Sequence, residues 1–288
     1  MSRMNDLCRI RQALGSVMDL VSRFGRSKMA VTYSDTGDPT TALDGAINQM
    51  LLRILPIHDE GWLSEDSKDD LKRLYASRVW VVDPIDGTRE FVNDIPEWCV
   101  SVGLIEGQCA VAGGVLNPST GEMFLGSVED GLEIINPTKP TQSSAENLPR
   151  MLVSRREHEE GKWTRFHSPE LEIKPVGSIA YRLALVASGS AAATCTFEPR
   201  SEWDVAGGVA LLHAASGRVQ TSTGDTVLFN QERSQVPTLC AFGKNCPSSL
   251  SKEFGVDITS IAGNTTRAES LSARNRTRSA IRKANGIS

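Results

Sequence analysis

The chain has 288 residues, of which 40% are apolar and 23% charged, and its formal net charge is −4. This composition is typical of a globular protein with one large or two ordinary domains, and the acidic balance argues against a nucleic-acid polymer as partner, because such partners usually require a basic face. The six cysteines form no CxxC pair and no zinc-like cluster, which predicts reduced, mostly buried thiols. We expect a cytoplasmic protein, because the sequence shows neither a signal-peptide core nor the ~18 apolar residues of a membrane span.

The first half of the chain combines two helices with a series of strands. Apolar residues at helical spacing predict one helix over about 5–25, ended by Gly25, and another over 42–55, stopped by Pro56. An acidic loop, GWLSEDSKDD, then precedes an apolar strand at 79–82. Turn signals separate four further strand-like runs and predict an antiparallel meander over 99–106, 108–116, 122–128 and 132–136.

Strands and helices alternate in the second half, after a linker candidate at 136–150 that is rich in Pro, Ser and Thr. The runs MLVSR, AAATCTF, RVQT and LCAF predict strands, and SIAYRLALVAS and WDVAGGVALLHAAS predict helices. Such alternation predicts an α/β arrangement. We therefore divide the chain into an α+β domain (1–145), an α/β domain (146–262) and a polar, basic tail (263–288).

The stretch WVVDPIDGT places two carboxylates directly after a buried strand. Pro84 and Gly87 favour a turn that aims Asp83, Asp86 and a backbone carbonyl between them into one small volume. A carboxylate in such a place is costly unless it is paired or bound to a cation, and an all-oxygen ligand set favours Mg²⁺ or Mn²⁺ over zinc. An Asx-capped turn has the same pattern, so both interpretations remain open on this motif alone.

Three more acidic residues occur near the ends of predicted elements. Glu65 opens the loop before the strand, Asp204 lies at the start of a helix, and Asp44 falls in the first turn of the second helix. Carboxylates near helix N-termini are ordinary caps, but the same positions are also rigid mounts for metal ligands. Backbone N–H groups of Gly87 and Thr88 could in addition bind a phosphate.

The motifs WVVDPIDGTREF, WLSEDS and EWDVAGG, in this order and spacing, resemble the inositol monophosphatase family of magnesium-dependent, typically lithium-sensitive phosphatases. That superfamily also contains the 3'(2'),5'-bisphosphate nucleotidases and the fructose-1,6-bisphosphatases. The similarity runs from about 38 to 224 and includes DPTTALD and GSIAYRLALVASGSA. It implies a five-layered α-β-α-β-α sandwich, in agreement with the α+β and α/β halves above, and commonly a homodimer.

The resemblance also implies which residues act. Two or three Mg²⁺ ions, or Mn²⁺, would be held by Glu65, Asp83, Asp86, Asp204 and the carbonyl of Ile85. The catalytic residues would be Asp44, Glu65 and Thr88, with Asp44 reaching a further, weaker ion and helping Thr88 to polarise the attacking water. No covalent phospho-enzyme is expected. Asp66 stands where the family usually has a second glutamate, a mild departure that leaves Glu65 as the ligand.

The substrate-binding residues implied by the resemblance are Gly87, Thr88, Arg89, Glu198 and Arg200. The REF after DPIDGT resembles the Lys-Glu-Phe of bisphosphate nucleotidases, so Arg89 and Arg200 could bind a second phosphate, although Arg89 could equally be a solvated surface residue. Glu198 lies near the position where inositol enzymes place a glutamate against ring hydroxyls. We predict a 3'(2'),5'-bisphosphate nucleotidase that converts 3'-phosphoadenosine 5'-phosphate to AMP. The alternatives are an inositol-1-monophosphatase and a catalytically inactive, phosphatase-like binding protein.

Overall fold

The computed structural model describes residues 3–24, 31–33, 39–137 and 148–253. The chain divides into two units, Met1–Cys246 and Pro247–Ser288. The second unit contains one helix within the described residues, Ser248–Glu253, and every other element below belongs to the first. Gly25, the predicted tail 263–288 and most of the linker candidate lie outside the described residues, and the predicted division of the chain at 145/146 stays a prediction.

The helices of the first unit arise where the sequence shows helical spacing and end at caps. Within the described residues they are α1 (Arg3–Arg23), α2 (Ala42–Ile54), α3 (Thr88–Val92), α4 (Arg155–Glu159), α5 (Ile179–Ala187) and α6 (Glu202–Ala214), and the helix of the second unit is α7. The two helices predicted in the first half are confirmed as α1 and α2, and the two predicted in the second half as α5 and α6. None of the described helices is long and apolar enough to cross a membrane.

The first half of the chain forms a six-stranded sheet. A short antiparallel pair, β1 (Val31–Tyr33) and β2 (Pro39–Thr41), precedes it in the chain. The six strands of the sheet are β3 (Gly61–Ser64), β4 (Arg78–Asp86), β5 (Cys99–Glu106), β6 (Cys109–Asn117), β7 (Glu122–Ser127) and β8 (Gly131–Ile135). The predicted antiparallel meander is confirmed over β4 to β8. The prediction of a loop over GWLSEDSKDD is wrong for its first four residues, which pair with β4 as the parallel strand β3, because Leu63 is buried in the core there.

The second half of the chain forms a mixed five-stranded sheet with the order β10-β9-β11-β15-β13. Its strands are β9 (Arg150–Ser154), β10 (Glu172–Val176), β11 (Ala193–Cys195), β13 (Arg218–Thr221) and β15 (Leu239–Phe242). The strands β12 (Arg200–Ser201) and β14 (Gln235–Val236) form a separate short antiparallel pair. The predicted alternation of strands and helices is confirmed. Strand β10 was not predicted, because only its last residue is fully buried and its sequence is half polar.

The layers explain why the strand run before the two aspartates is apolar throughout. On the six-stranded sheet, Trp80 and Val82 face the side covered by α1 and α2, whereas Val79 and Val81 face α5 and α6. Both faces of β4 are therefore buried, and a strand buried on both faces has no polar alternation. Helices α5 and α6 also contact the second sheet, and α4 contacts β9 and β10, which confirms the five-layered α-β-α-β-α sandwich.

Glycines bring α6 unusually close to its neighbours. A Cβ atom at Gly103 of β5 would lie 2.7 Å from the Cβ of Ala206, and one at Gly207 would lie 2.6 Å from the Oγ of Ser101. A Cβ at Gly208 would lie 2.4 Å from the Cβ of Leu183 in α5. The two consecutive glycines of α6 thus face the sheet and α5 respectively, and this close packing places the start of α6 beside the end of β4.

The prediction of reduced, mostly buried thiols is wrong. A disulfide joins Cys195 of β11 to Cys240 of β15, which are opposed partners in antiparallel register with a Cα–Cα distance of 4.1 Å. Cys8 and Cys109 are exposed, and among the four cysteines outside the disulfide only Cys99 is fully buried. The pairing arises from the sheet, so a separation of 45 residues carries no signal in the sequence.

Candidate active site

A cavity of about 200 Å³ opens where β4 ends beside the starts of α5 and α6. Besides Glu90 of α3, four carboxylates line it: Glu65, Asp83, Asp86 and Asp204. They come from the loop after β3, from β4 and from the first turn of α6. These are four of the five carboxylates that the sequence singled out, the fifth being Asp44, and the fold brings the four to one place across a separation of up to 139 positions in the chain.

The end of β4 is an Asx turn that also arranges oxygen atoms. The backbone N–H of Ile85 donates to Oδ1 of Asp83 at 3.0 Å, and the hydroxyl of Thr88 donates to the carbonyl of Ile85 at 2.9 Å. Pairing with β5 is irregular between Asp83 and Asp86, and Gly87 takes the left-handed φ of 91° that favours glycine. The turn interpretation and the ligand interpretation therefore describe the same geometry.

Asp86 is fixed from the opposite side of the cavity, by the start of α5. The hydroxyl of Ser178 and the backbone N–H of Ala180 each donate to Oδ2 of Asp86 at 2.6 Å. Ser178 is the N-cap of α5 and has a positive φ of 51°, which costs conformational energy for a residue that is not glycine. Sequence reasoning did not assign Ser178 a role, although it quoted the Gly-Ser-x-Ala segment that contains it.

Asp44 and Asp204 both act as helix caps. Asp204 accepts a hydrogen bond from the backbone N–H of Ser201 at 3.0 Å, and Asp44 accepts one from the backbone N–H of Thr41 at 2.9 Å. Each completes a capping box at its helix. Asp204 nevertheless lines the cavity, whereas Asp44 does not line it and is 4% exposed.

The clustered carboxylates raise one another's pKa values. Burial, and then the charge of Asp204, raises the pKa of Glu65 to about 8, even though part of that side chain reaches solvent through the cavity. Burial, and then Asp86, raises the pKa of Asp204 to about 7. Burial and the charge of Glu65 hold the pKa of Asp83 well above its usual range. Burial also raises the pKa of Asp86, against the hydrogen bonds that it accepts.

This donor set suits a hard divalent cation. All the candidate ligands are carboxylate or carbonyl oxygens, the ligand type that Mg²⁺ and Ca²⁺ prefer, and the raised pKa values mark negative charge that a cation would stabilise. Within the described residues, no three His, Cys, Asp or Glu side chains form a closed cluster around one ion position. The case for a metal therefore rests on donor chemistry, burial and charge.

Guanidinium groups line the same cavity as the carboxylates. Arg182 of α5 is 2% exposed, and its hydrogen bonds go to neutral partners, Oγ1 of Thr194 at 2.9 Å and the carbonyl of Cys195 at 3.4 Å. Burial, and then the neighbouring charge of Arg200, lowers the pKa of Arg182 to about 10. The Nε atoms of both arginines are buried and have no hydrogen-bond partner among the described residues. Arg200 also forms an ion pair with the buried Glu157 at 3.4 Å, whereas the hydrogen bonds of Arg182 described above go to neutral groups. Arg182 is therefore the cation that most favours an anionic ligand.

The other predicted substrate residues divide into two groups. Gly87, Thr88, Arg89 and Arg200 line the cavity, together with Arg156 and Arg182, which sequence reasoning missed. Glu198 does not line it, because its carboxylate is held by Arg156 and by Nζ of Lys162 at 2.8 Å. The missed arginines have no local signal, since an arginine in a helix usually faces solvent.

A layered α/β fold that presents clustered carboxylates and guanidinium groups to one cavity is the architecture of a phosphatase that works with metal ions. The sequence model of the inositol monophosphatase family matches residues 7–251. The chain belongs to this family, as its motifs predicted.

The similar proteins include both nucleotidases and inositol phosphatases. The 3'(2'),5'-bisphosphate nucleotidase CysQ of Salmonella typhimurium is 27% identical over 237 residues, which cover 80% of this chain and 95% of that protein. Inositol monophosphatase 3 of Solanum lycopersicum is 30% identical over 155 residues, 51% of this chain and 58% of that protein. The crystal structure of CysQ from Bacteroides thetaiotaomicron superimposes with a TM-score of 0.67 at 23% identity, and covers 84% of this chain and 98% of that one.

Proposed function

We propose that the chain is a Mg²⁺-dependent 3'(2'),5'-bisphosphate nucleotidase that releases one phosphate from 3'-phosphoadenosine 5'-phosphate to leave AMP. The observation that carries the choice of substrate is the pair of Arg182, which is buried, and Arg200, which is partly exposed, because both line the same cavity as the carboxylates. A substrate with two phosphates could place one at the carboxylate and metal end and the other against the guanidinium groups. The names of several relatives, bisphosphate nucleotidases 26–29% identical to this chain, support the same choice.

We further propose that two or three Mg²⁺ ions, or Mn²⁺ in their place, are held by Glu65, Asp83, Asp86, Asp204 and the carbonyl of Ile85. When bound, the metal supplies a Lewis acid that activates water and neutralises charge on the leaving oxygen. The protein supplies rigidity, because two of these carboxylates are helix or turn caps and a third is fixed by Ser178. Rigid ligands keep their positions without reorganising during the reaction.

The roles proposed for the catalytic residues follow from their contacts. The hydroxyl of Thr88 donates a hydrogen bond to the carbonyl of Ile85, so the hydroxyl oxygen of Thr88 is oriented to accept a hydrogen bond from the attacking water. Glu65 lines the cavity, where its carboxylate can orient the attacking water as well as hold a metal ion. Asp44 does not line the cavity, and its charge contributes to the raised pKa of Glu65 after burial and the other carboxylates, so Asp44 acts on the site through its charge.

The test compares phosphate release, with Mg²⁺ present, from 3'-phosphoadenosine 5'-phosphate and from inositol 1-phosphate. We expect kcat/KM to be at least a hundredfold higher for the nucleotide, which is ~2.7 kcal/mol of transition-state discrimination. Arg200→Lys should reduce this ratio, because lysine lacks the planar fork of arginine. Arg150→Lys is the matched control, since Arg150 pairs with Glu172 and neither residue lines the cavity, and it should leave the ratio within about threefold. A preference for inositol 1-phosphate would favour the inositol monophosphatase alternative instead.

The alternative of an inactive binding protein is disfavoured because the predicted ligand carboxylates line one cavity. It predicts cation binding without turnover of any phosphate ester, which the same assay would reveal. The lithium sensitivity, the homodimeric state and the cytoplasmic location implied at the outset remain predictions. Lithium inhibition can be measured in the same assay.

A further inference from the structure

Arg73 is a buried arginine that lies outside the cavity and joins two segments that carry carboxylates of the site. Its side chain is 1% exposed. It belongs to the 3-10 turn Lys72–Tyr75, just after the loop that contains Glu65. The bonds of its guanidinium group run in two directions, to that loop and to a segment next to α6.

On the first side, Arg73 holds the Glu65 loop through Asp69. Nε of Arg73 donates to Oδ2 of Asp69 at 3.0 Å, and Nη2 donates to the same oxygen at 2.8 Å. Asp69 follows Glu65 by four positions. The start of the loop is held separately, because the side-chain amide of Asn48 donates to Oγ of Ser67 at 2.9 Å. The loop is therefore fixed at both ends.

On the second side, Arg73 holds the segment that caps the start of α6. Nη1 donates to Oδ1 of Asn230 and Nη2 donates to the carbonyl of Gln231, both at 2.8 Å. The backbone N–H groups of the same two residues donate to the carboxylate of Glu202 at 2.7 and 2.8 Å. Glu202 is fully buried and precedes Asp204 by two positions.

Arg73 thus links the loop that contains Glu65 to the start of α6, which contains Asp204. Those two carboxylates line the same cavity and carry like charges when ionised, so they repel each other. Without a connection, the repulsion would tend to separate the loop from α6 whenever no cation lies between them.

We propose that Arg73 is a positioning residue that holds the Glu65 loop against the start of α6, and that it thereby sets the affinity of the site for a divalent cation. This inference rests on the metal site proposed above. Partners behind the ligands of a metal typically change its affinity by 10–100-fold when they are removed. Among the described residues, Arg73 does not line the cavity and contacts no proposed ligand. Its effect on the affinity for the cation therefore has to pass through Asp69 and Glu202.

The test is Mn²⁺ binding, followed by electron paramagnetic resonance, in the wild type, in Arg73→Lys and in a matched control, Arg78→Lys. Arg78 is also an arginine with little exposure, and it pairs with the buried Asp6 at 2.6 Å. It begins β4, at the opposite end of that strand from Asp83 and Asp86, and its ion-pair partners Asp6, Glu60 and Glu106 are not proposed ligands. We expect Arg73→Lys to raise the Kd for Mn²⁺ about tenfold, and Arg78→Lys to change it less than twofold. Both substitutions should lower the thermal midpoint. If only Arg73→Lys also raises the Kd, loss of stability alone is not what weakens the site.

A second variant, Asn230→Ala, removes the two hydrogen bonds between the Asn230 side chain and Arg73 and keeps every charge. It should raise the Kd about threefold, and it serves if Arg73→Lys does not fold. An unchanged Kd in a folded Arg73 or Asn230 variant, or an equal increase in Arg78→Lys, would overturn the role of Arg73 and leave the metal site standing. Failure of the wild type to bind Mn²⁺ would overturn the metal site itself and this inference with it.

Discussion

Replacing Asp204 with asparagine should stabilise the metal-free protein at alkaline pH. Asparagine keeps the side-chain oxygen that accepts the N–H of Ser201, so the cap of α6 survives and only the charge is lost. In the wild type, the raised pKa of Asp204 means that the folded state holds a proton more tightly than the unfolded state. The stability linked to this proton is complete below the usual pKa of 3.8 and is lost as the pH rises through about 7.

The size of the effect follows from the pKa values. A folded-state pKa of about 7 against the usual 3.8 corresponds to roughly 4 kcal/mol at pH 8. Asp86 shares this repulsion, and solvent in the cavity screens part of it. We therefore expect Asp204→Asn to raise the free energy of unfolding at pH 8 by about 2–3 kcal/mol. In a protein of this size the thermal midpoint changes by about 2–4 °C per kcal/mol, which predicts a rise of roughly 5–10 °C.

The assay is thermal unfolding of the wild type and of Asp204→Asn in EDTA, at pH 4 and at pH 8. The two midpoints should agree within about 2 °C at pH 4 and differ by the full amount at pH 8. Asp19→Asn is the control, since it removes a solvent-exposed carboxylate of α1 and should not alter the pH dependence. Equal or lower stability of Asp204→Asn at pH 8 would refute the idea that the carboxylates repel one another in the folded protein.

Three further predictions concern the framework of the site. The buried carboxylate of Asp6 pairs with three arginines, so Asp6→Ala should lower the free energy of unfolding by about 3–5 kcal/mol in guanidinium chloride titrations, and a loss under 1 kcal/mol would contradict this. Gly103→Ala should cost about 1–3 kcal/mol and reduce kcat, because the added methyl group meets Ala206 and displaces α6; unchanged kcat would argue against the close packing. Reduction of the Cys195–Cys240 disulfide should cost about 2–4 kcal/mol, and alkylation followed by mass spectrometry should find two protected thiols; six reactive thiols under denaturing, non-reducing conditions would contradict the bond.

The carboxylates of the site could be predicted from the sequence because their signals are local. An apolar run that ends in Asp83 and Asp86 describes a strand buried on both faces, and the positions of Asp44 and Asp204 are those of helix caps. Such patterns depend on neighbours within a few residues. The family resemblance added the roles, since a cap and a metal ligand look alike in a sequence.

The remaining features depend on contacts between distant segments. Ser178 fixes Asp86 across 92 positions, and Arg73 reaches Asn230 across 157. Arg182 has the sequence context of an ordinary helical arginine, and its burial follows from the second sheet packing over α5. The pattern of residues around Glu198 suggested a contact with substrate, but the ion pairs that hold its carboxylate were not foreseeable.

The most direct test of the central claim is Mg²⁺-dependent phosphate release from 3'-phosphoadenosine 5'-phosphate by the wild type and by Asp83→Asn. Asparagine preserves the hydrogen bond from Ile85, so the turn should remain and the metal-free variant should unfold at a midpoint no lower than that of the wild type. We predict that the wild type releases phosphate only when Mg²⁺ is present and that Asp83→Asn is slower by roughly a thousandfold. Release of phosphate by Asp83→Asn at the wild-type rate, or release in EDTA, would contradict a catalytic metal site at the end of β4.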